Sequence, residues 1–348
     1  MTTLVAPQRS PGVAVPRRPL PARLAWLGIA VVALVLVATA SVAFGSRVVS
    51  LHEIVSAFTG AEDGIAQAAV RGRLPRTILA VVVGATLGLV GTVLQAVTRN
   101  PLADPQVLGI TSGASLFVVT GIAFVGLASP MAYIWVAIAG SALAATFVYA
   151  IGSLGRGGPT PLKLALAGAA TSAAFNALIS AILLPRIEVM DEFRFWEIGG
   201  VGGATYDKLA LVAPFLVTGA LICFLSARGL NALALGDDVA AGLGERVART
   251  RLLAATGAFI LCGAATAVAG PIGFVGLMVP HACRLLVGVD HRWLLPCSAL
   301  AGATLLTAAD VVGRLVARPS EVDVGIVTAL IGAPFFIVMV RRLRMRSL

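Results

Sequence analysis

Ten stretches of about twenty apolar residues run along this chain, near residues 24–44, 77–96, 109–127, 131–153, 164–184, 209–226, 252–270, 272–289, 294–313 and 324–340. Each is about the length a helix needs to cross a hydrocarbon core. Two of the divisions rest on length rather than on a polar break. Gly109 to Gly155 carries no charge, and as one helix it would measure roughly 70 Å against a core of about 30 Å; Ser129-Pro130 is where it should fold back. Gly270-Pro271 divides Ala254 to Val289 for the same reason. The pattern predicts an all-α, polytopic membrane protein with a ten-helix domain over 24–348. It leaves residues 1–23 as a disordered N-terminal tail.

Composition supports this reading: 58% of the 348 residues are hydrophobic and 12% charged, about half the charged share of soluble domains. An even number of spans puts both ends on one side. Both ends are basic, with Arg9, Arg17, Arg18 and Arg23 before the first span and Arg341, Arg342, Arg344 and Arg346 after the last. The positive-inside rule therefore makes both termini cytoplasmic. On that topology about 17 of the 26 Lys/Arg lie inside, against about 5 of the 16 Asp/Glu. The net charge of +10 thus faces the cytoplasm and anionic lipid, and no nucleic acid is needed to account for it. A signal-peptide reading of Arg17 to Ala43 could use ATASVA for cleavage, but the apolar run exceeds the 7 to 15 residues typical of such a core.

Few residues offer chemistry. Cys223, Cys262, Cys283 and Cys297 have no C-x-x-C spacing and read as buried thiols. His52, His281 and His291 fall in separate places, so no metal site is expected. No phosphate-binding G-x-x-x-x-G-K-[ST], H-E-x-x-H or G-x-S-x-G pattern occurs, which excludes nucleotide binding by a P-loop and leaves no catalytic constellation. GGVGGA, residues 199–204, reads as a bend or close-packing element. Gly84, Gly88 and Gly91 line one face of the second span and predict close helix approach. Asp310 is the one acid within a span, and Arg314 one turn later is its expected ion-pair partner. An ion-coupled secondary transporter would ordinarily carry more such groups, so energy is expected from another subunit.

Two polar elements remain. RGRLPR, Arg71 to Arg76, precedes the second span and falls in an outside loop, on the face where basic residues are depleted; Arg314 and Arg318 end the ninth span on that face. These arginines either snorkel to lipid phosphates or dock an acidic partner. On the cytoplasmic side LGDDVAAGL reads as a short helix ended by Gly244, with Asp237 and Asp238 at its positive end. It is either a solvated connector or a surface that a cytoplasmic motor subunit grips.

Four blocks then carry a resemblance: RLPRTILAVVVGATLGLVGTVLQAVTRNPLADPQVLGITSGASL, LALGDDVAAGLG, AVAGPIGFVGLMVPHACRLLVGVDHRWLLP and EVDVGIVTALIGAPFFIV. In that order they resemble the FecCD family of ABC importer permeases, which move iron siderophores, haem or cobalamin. The resemblance implies a type II ABC importer permease fold in the inner membrane. It also implies a second permease subunit, identical or paralogous, two cytoplasmic ATPases that hold ATP and Mg, and an extracytoplasmic binding protein. Substrate then crosses by alternating access, ferric siderophore being the first expectation for the cargo. Arg73 and Arg76 match the family's R-x-P-R motif, and Arg314 matches the arginine after its A-D motif; these are similar to positions that receive acidic residues of the binding protein. Gly236, Asp237, Asp238, Ala241, Leu243 and Gly244 fall in the matching ATPase-coupling segment. Arg71 lies outside the motif. Neither pattern nor resemblance picks out the substrate pathway.

Overall fold

The computed structural model describes residues 18–45, 64–127, 129–154 and 161–344, with Val49, His52, Glu53 and Ser56 between the first two stretches. Most of the expected N-terminal tail, residues 1–17, and Arg346 lie outside the described residues. Thirteen α-helices and one π-helical turn, without a strand, make up the described chain. They are α1 (Leu20–Ala43), α2 (Ile65–Val97), α3 (Ile110–Thr120, continued by the π turn Gly121–Val125), α4 (Pro130–Gly152), α5 (Pro161–Leu183), α6 (Ile187–Glu197) and α7 (Tyr206–Leu225). Then follow α8 (Ala227–Leu233), α9 (Asp237–Gly242), α10 (Val247–Ala269), α11 (Val275–Val287), α12 (His291–Val316) and α13 (Val324–Arg344).

A helix answers each of the ten apolar stretches. Seven are long and apolar enough to cross a membrane, namely α1, α2, α4, α5, α7, α10 and α12; α3, α11 and α13 have shorter apolar lengths. The shortest, α11, has 13 residues and rises only about 20 Å, so the expected full span over 272–289 is corrected. Gly270 (φ +67°), Pro271, Gly273 and Phe274 (φ +68°) hold the chain out of helical form before it.

The second correction concerns RGRLPR. The expected outside loop is helical: α2 begins at Ile65 and carries Arg71, Arg73 and Arg76 with Pro75 inside it. Pro75 removes one backbone donor, and the turn persists because both motif arginines are anchored on other helices.

Close glycine packing holds the centre. A Cβ on Gly84 would lie 2.4 Å from the carbonyl oxygen of Gly302, on Gly88 2.1 Å from that of Ser298, and on Gly91 1.9 Å from that of Gly276. α2 therefore lies backbone to backbone against α12 and α11. Membrane helices gain mainly from such contact, since lipid is as apolar as leucine. Around this seam Leu79, Val83, Leu87, Val275, Val279, Leu294 and Leu306 form one buried cluster. A second joins Val90, Val93 and Leu94 to Leu230, Ala254, Ala258 and Leu261.

Candidate functional site

Three places on this scaffold concentrate polar groups: the outer ends of α1, α2 and α12, the short helices on the opposite face, and a cavity between them. At the outer end, Asp310 is a node. Its Oδ1 accepts hydrogen bonds from Arg76 Nε (3.0 Å) and Nη2 (2.8 Å), and its Oδ2 lies 2.9 Å from Arg314 Nη2. The expected Asp310–Arg314 pair is present, joined by Arg76. Arg76 also donates from Nη1 to Glu321 Oε2 at 2.6 Å.

The same arginines cap α1. A helix end leaves its last carbonyls without intrahelical donors, and here guanidinium groups supply them. Arg314 Nη1 donates to the Ser41 and Phe44 oxygens at 3.0 and 3.1 Å, and its Nη2 to Ser41 Oγ at 2.7 Å. Arg73 Nη1 donates to the Val42 and Ala43 oxygens at 3.1 and 2.9 Å, and Arg318 Nη2 to the Gly45 oxygen at 2.6 Å. Cations at a helix C-terminus also oppose its negative dipole end. The structure thus brings Arg73, Arg76 and Arg314 together but turns them inward: Arg314 is 1% exposed and Arg73 6%. The Arg76 side chain keeps 14% exposure, beside Glu321 at 34%. Arg71 is exposed.

On the opposite face the expected short helix is present as α9, begun after Gly236 (φ +112°) and ended before Gly244 (φ +84°). Asp237 does not hang free. Its Oδ1 accepts from Arg251 Nη2 at 2.9 Å and from Arg99 Nη2, while Arg99 Nε donates to the Leu233 oxygen at 3.0 Å. One carboxylate therefore ties α9 to the end of α2 and the start of α10. Asp238, Ala241, Leu243 and Gly244 are exposed, and Leu235, Val239 and Leu243 present apolar side chains outward. Nearby, Asn231 joins the end of α8 to the loop before α12: Nδ2 donates to Asp290 Oδ1 at 2.7 Å, and Oδ1 accepts from the His291 N–H at 2.8 Å. Partial burial opposes ionisation of Asp290. The Asn231 hydrogen bond, the Arg292 N–H and the nearby Arg292 and Arg23 charges outweigh it, so this carboxyl titrates below the ordinary aspartate range.

Between the two ends the broken segments meet. After α2 the chain makes two side-chain-capped turns, with Asn100 Oδ1 accepting from the Leu102 N–H and Asp104 Oδ1 from the Gln106 N–H, both at 2.9 Å. It then climbs back beside α5. A Cβ on Gly168 would lie 2.4 Å from the Val107 oxygen, and Gly168 stands about 10 Å above the start of α5. Gln106 there abuts Gly273 of the interruption before α11. Irregular backbone at membrane depth persists only where protein buries it or where it lines a cavity, and both conditions hold. A cavity of about 760 Å³ opens here, walled by Pro271, Gly273, Phe274 and α13, with Gln106, Thr111, Ser112, Ser115, Asn176 and Glu197 as its polar lining. Sequence reasoning missed it. The signal was NPLADP, turn-forming residues between two apolar runs. Among the described residues no cluster of His, Cys, Asp or Glu could hold a metal ion, and all four cysteines are buried and free.

Comparison with known proteins adds four findings. The model described as the FecCD transport family matches residues 33–342. The probable siderophore transport system permease protein YfiZ of Bacillus subtilis is 42% identical over 87% of this chain and 91% of its own length. The ferric enterobactin transport system permease protein FepD of Escherichia coli is 43% identical over 89% and 93%. A solved structure, an inward-facing conformation of a putative metal-chelate type ABC transporter, superposes with a TM-score of 0.77 at 31% identity, covering 92% of this chain and 99% of that one.

Proposed function

The chain belongs to the FecCD transport family and is a multi-pass inner-membrane protein; from that premise we propose that it is the membrane-spanning half of an ATP-driven importer of ferric siderophores. The relatives named for siderophore and enterobactin transport support that cargo, with haem or cobalamin as the alternative. The polar cavity forms one wall of the pathway. Exposed Leu330 and Ile331 of α13 and Leu162 and Leu166 of α5 give a second permease subunit, identical or paralogous, an apolar face against which to close it. A binding protein delivers cargo to the outer ends of α2 and α12. There Arg76 offers the open contact, while Arg73 and Arg314 hold the platform that presents it.

The observation that carries this reading is α9. An exposed six-residue helix with apolar Val239 and Leu243 outward, pinned through Asp237, suits a cytoplasmic ATPase that must pull on the bundle. ATP and Mg reside on that ATPase. Its closure drags α9 and exchanges outward for inward access at the cavity, which is population shift between two bundle arrangements. In proteoliposomes holding the permease, its ATPase and its binding protein, Leu243→Asp should retain hydrolysis but lose ferric siderophore uptake at least about tenfold, a loss of at least ~1.4 kcal/mol of coupling. Uptake that persists without the ATPase and collapses with the proton gradient would overturn the reading.

A further inference from the structure

A second cavity, of about 470 Å³, lies between the end of α7 and the start of α10, on the face that the basic excess assigns to the cytoplasm. Arg228, Arg246 and Arg249 line it. All three are exposed, and none has a carboxylate partner among the described residues. The acid in the wall is Glu245, and it is engaged by the Thr250 hydroxyl. Elsewhere on this face Arg99 and Arg251 share Asp237, and Arg23 reaches Asp290, while the exposed Arg292 and Arg341 stand apart from this hollow. What distinguishes Arg228, Arg246 and Arg249 is that all three line one hollow without a carboxylate partner among the described residues.

What leads into the hollow is apolar. Ile222, Leu225 and Leu253 complete its wall. From it a ridge of exposed side chains runs up α7 at i, i+4 spacing through Leu225, Leu221 and Val217, with Leu252 exposed alongside on α10. A charged mouth at the membrane surface with an apolar track rising from it matches a molecule with an anionic head and hydrocarbon tails. A soluble anion would have no use for the track, and an acidic protein surface none for its continuation into the span.

We propose that this cavity is a binding site for an anionic phospholipid of the cytoplasmic leaflet. The arginines take the phosphodiester head, and the acyl chains lie along α7 and α10. Basic pockets between membrane helices on this side characteristically take such headgroups, and arginine is the side chain suited to phosphate oxygens. Gly244 and Arg246 both line the hollow and belong to the link between α9 and α10, so a bound lipid braces the segment through which α9 moves the bundle.

The test is lipid retention by the full chain in neutral detergent, read by native mass spectrometry with phosphatidylglycerol and phosphatidylcholine in competition. At about a factor of five for each basic residue near the surface, the three arginines should favour phosphatidylglycerol on the order of 100-fold at low salt. R228Q/R246Q/R249Q should abolish that preference, and R228K/R246K/R249K should restore most of it, which separates loss of charge from loss of fold. Equal retention of both lipids by the unaltered chain, or an unchanged preference in the glutamine variant, overturns the proposal. Displacement of the lipid by inorganic phosphate would identify a free-anion site and overturn it as well. So would loss of ATPase co-purification in the glutamine variant with lipid preference intact, which would give the arginines to a protein partner.

Discussion

Replacing Asp310 by alanine tests the outer cluster most directly. The carboxylate is 1% exposed and meets two guanidinium groups, one of them 2% exposed. Without it Arg314 keeps its bonds to Ser41 and Phe44, and Arg76 keeps Glu321, but two clustered cations lose the anion between them. Removing one member of a buried ion pair costs about 3–5 kcal/mol, because an uncompensated charge stays behind. At about 2 °C per kcal/mol for a chain of this size, the midpoint of thermal unfolding should fall by roughly 6–10 °C. The four buried cysteines provide the assay, since a thiol-reactive fluorogenic dye labels them only on unfolding. The loss should change little between low and high salt, as burial shields the cluster from counterions. In a double-mutant cycle with Arg314→Ala, the two losses should fall short of additivity by about 1–3 kcal/mol. A midpoint shift under about 2 °C, the size expected of an exposed pair, or strict additivity, would refute the view that Asp310 organises this end.

Further outcomes follow from other contacts. Gly91→Ala would place a methyl 1.9 Å from the Gly276 oxygen and 2.5 Å from its Cα; backbone cannot swing aside, so the variant should lose about 1–3 kcal/mol, while Gly28→Ala, with nothing within 4 Å, should leave the same melt unchanged. Asp237→Ala frees α9 from Arg99 and Arg251; being half exposed, the pair should contribute under about 1 kcal/mol to stability, yet reconstituted uptake should fall several-fold at constant ATP hydrolysis. Asp290 has a depressed carboxyl, so it binds its proton less tightly folded than unfolded, and its contribution is present above the unfolded value of 3.8 and lost as pH falls through the lower folded value. Melts of Asp290→Asn should therefore lie below those of the unaltered chain at neutral pH and approach them on acidification below 3.8; a gap that does not narrow as the pH falls below that value would contradict this.

Legibility followed the range of the interaction. The short helix at 237–242 could be read because its signals are local: acids at its start and Gly244 to stop it. The glycine seam could be read because Gly84, Gly88 and Gly91 fall on one helical face. The inward turn of Arg73 and Arg314 could not. Their acceptors are main-chain oxygens of Ser41, Val42, Ala43 and Phe44, which lie 30 to 273 residues away in sequence, and every residue type carries such an oxygen. Asp237 looked like a free helix-start charge for the same reason: Arg99 and Arg251 reach it only after α2, α8 and α10 have packed.

The sequence alone determined where the ten apolar helices lie, which face carries the basic excess, and that the chain carries no P-loop motif, since these depend on segment length, composition and local pattern. Tertiary structure decided the rest. It drew RGRLPR into a helix, shortened α11, and folded residues 100–109 back to meet the break before α11. It also gathered Gln106, Ser112, Asn176 and Glu197 around one cavity. A backbone can leave helical form at membrane depth only when neighbouring helices or a cavity satisfy its polar groups, and which neighbours do so is a property of the packed bundle.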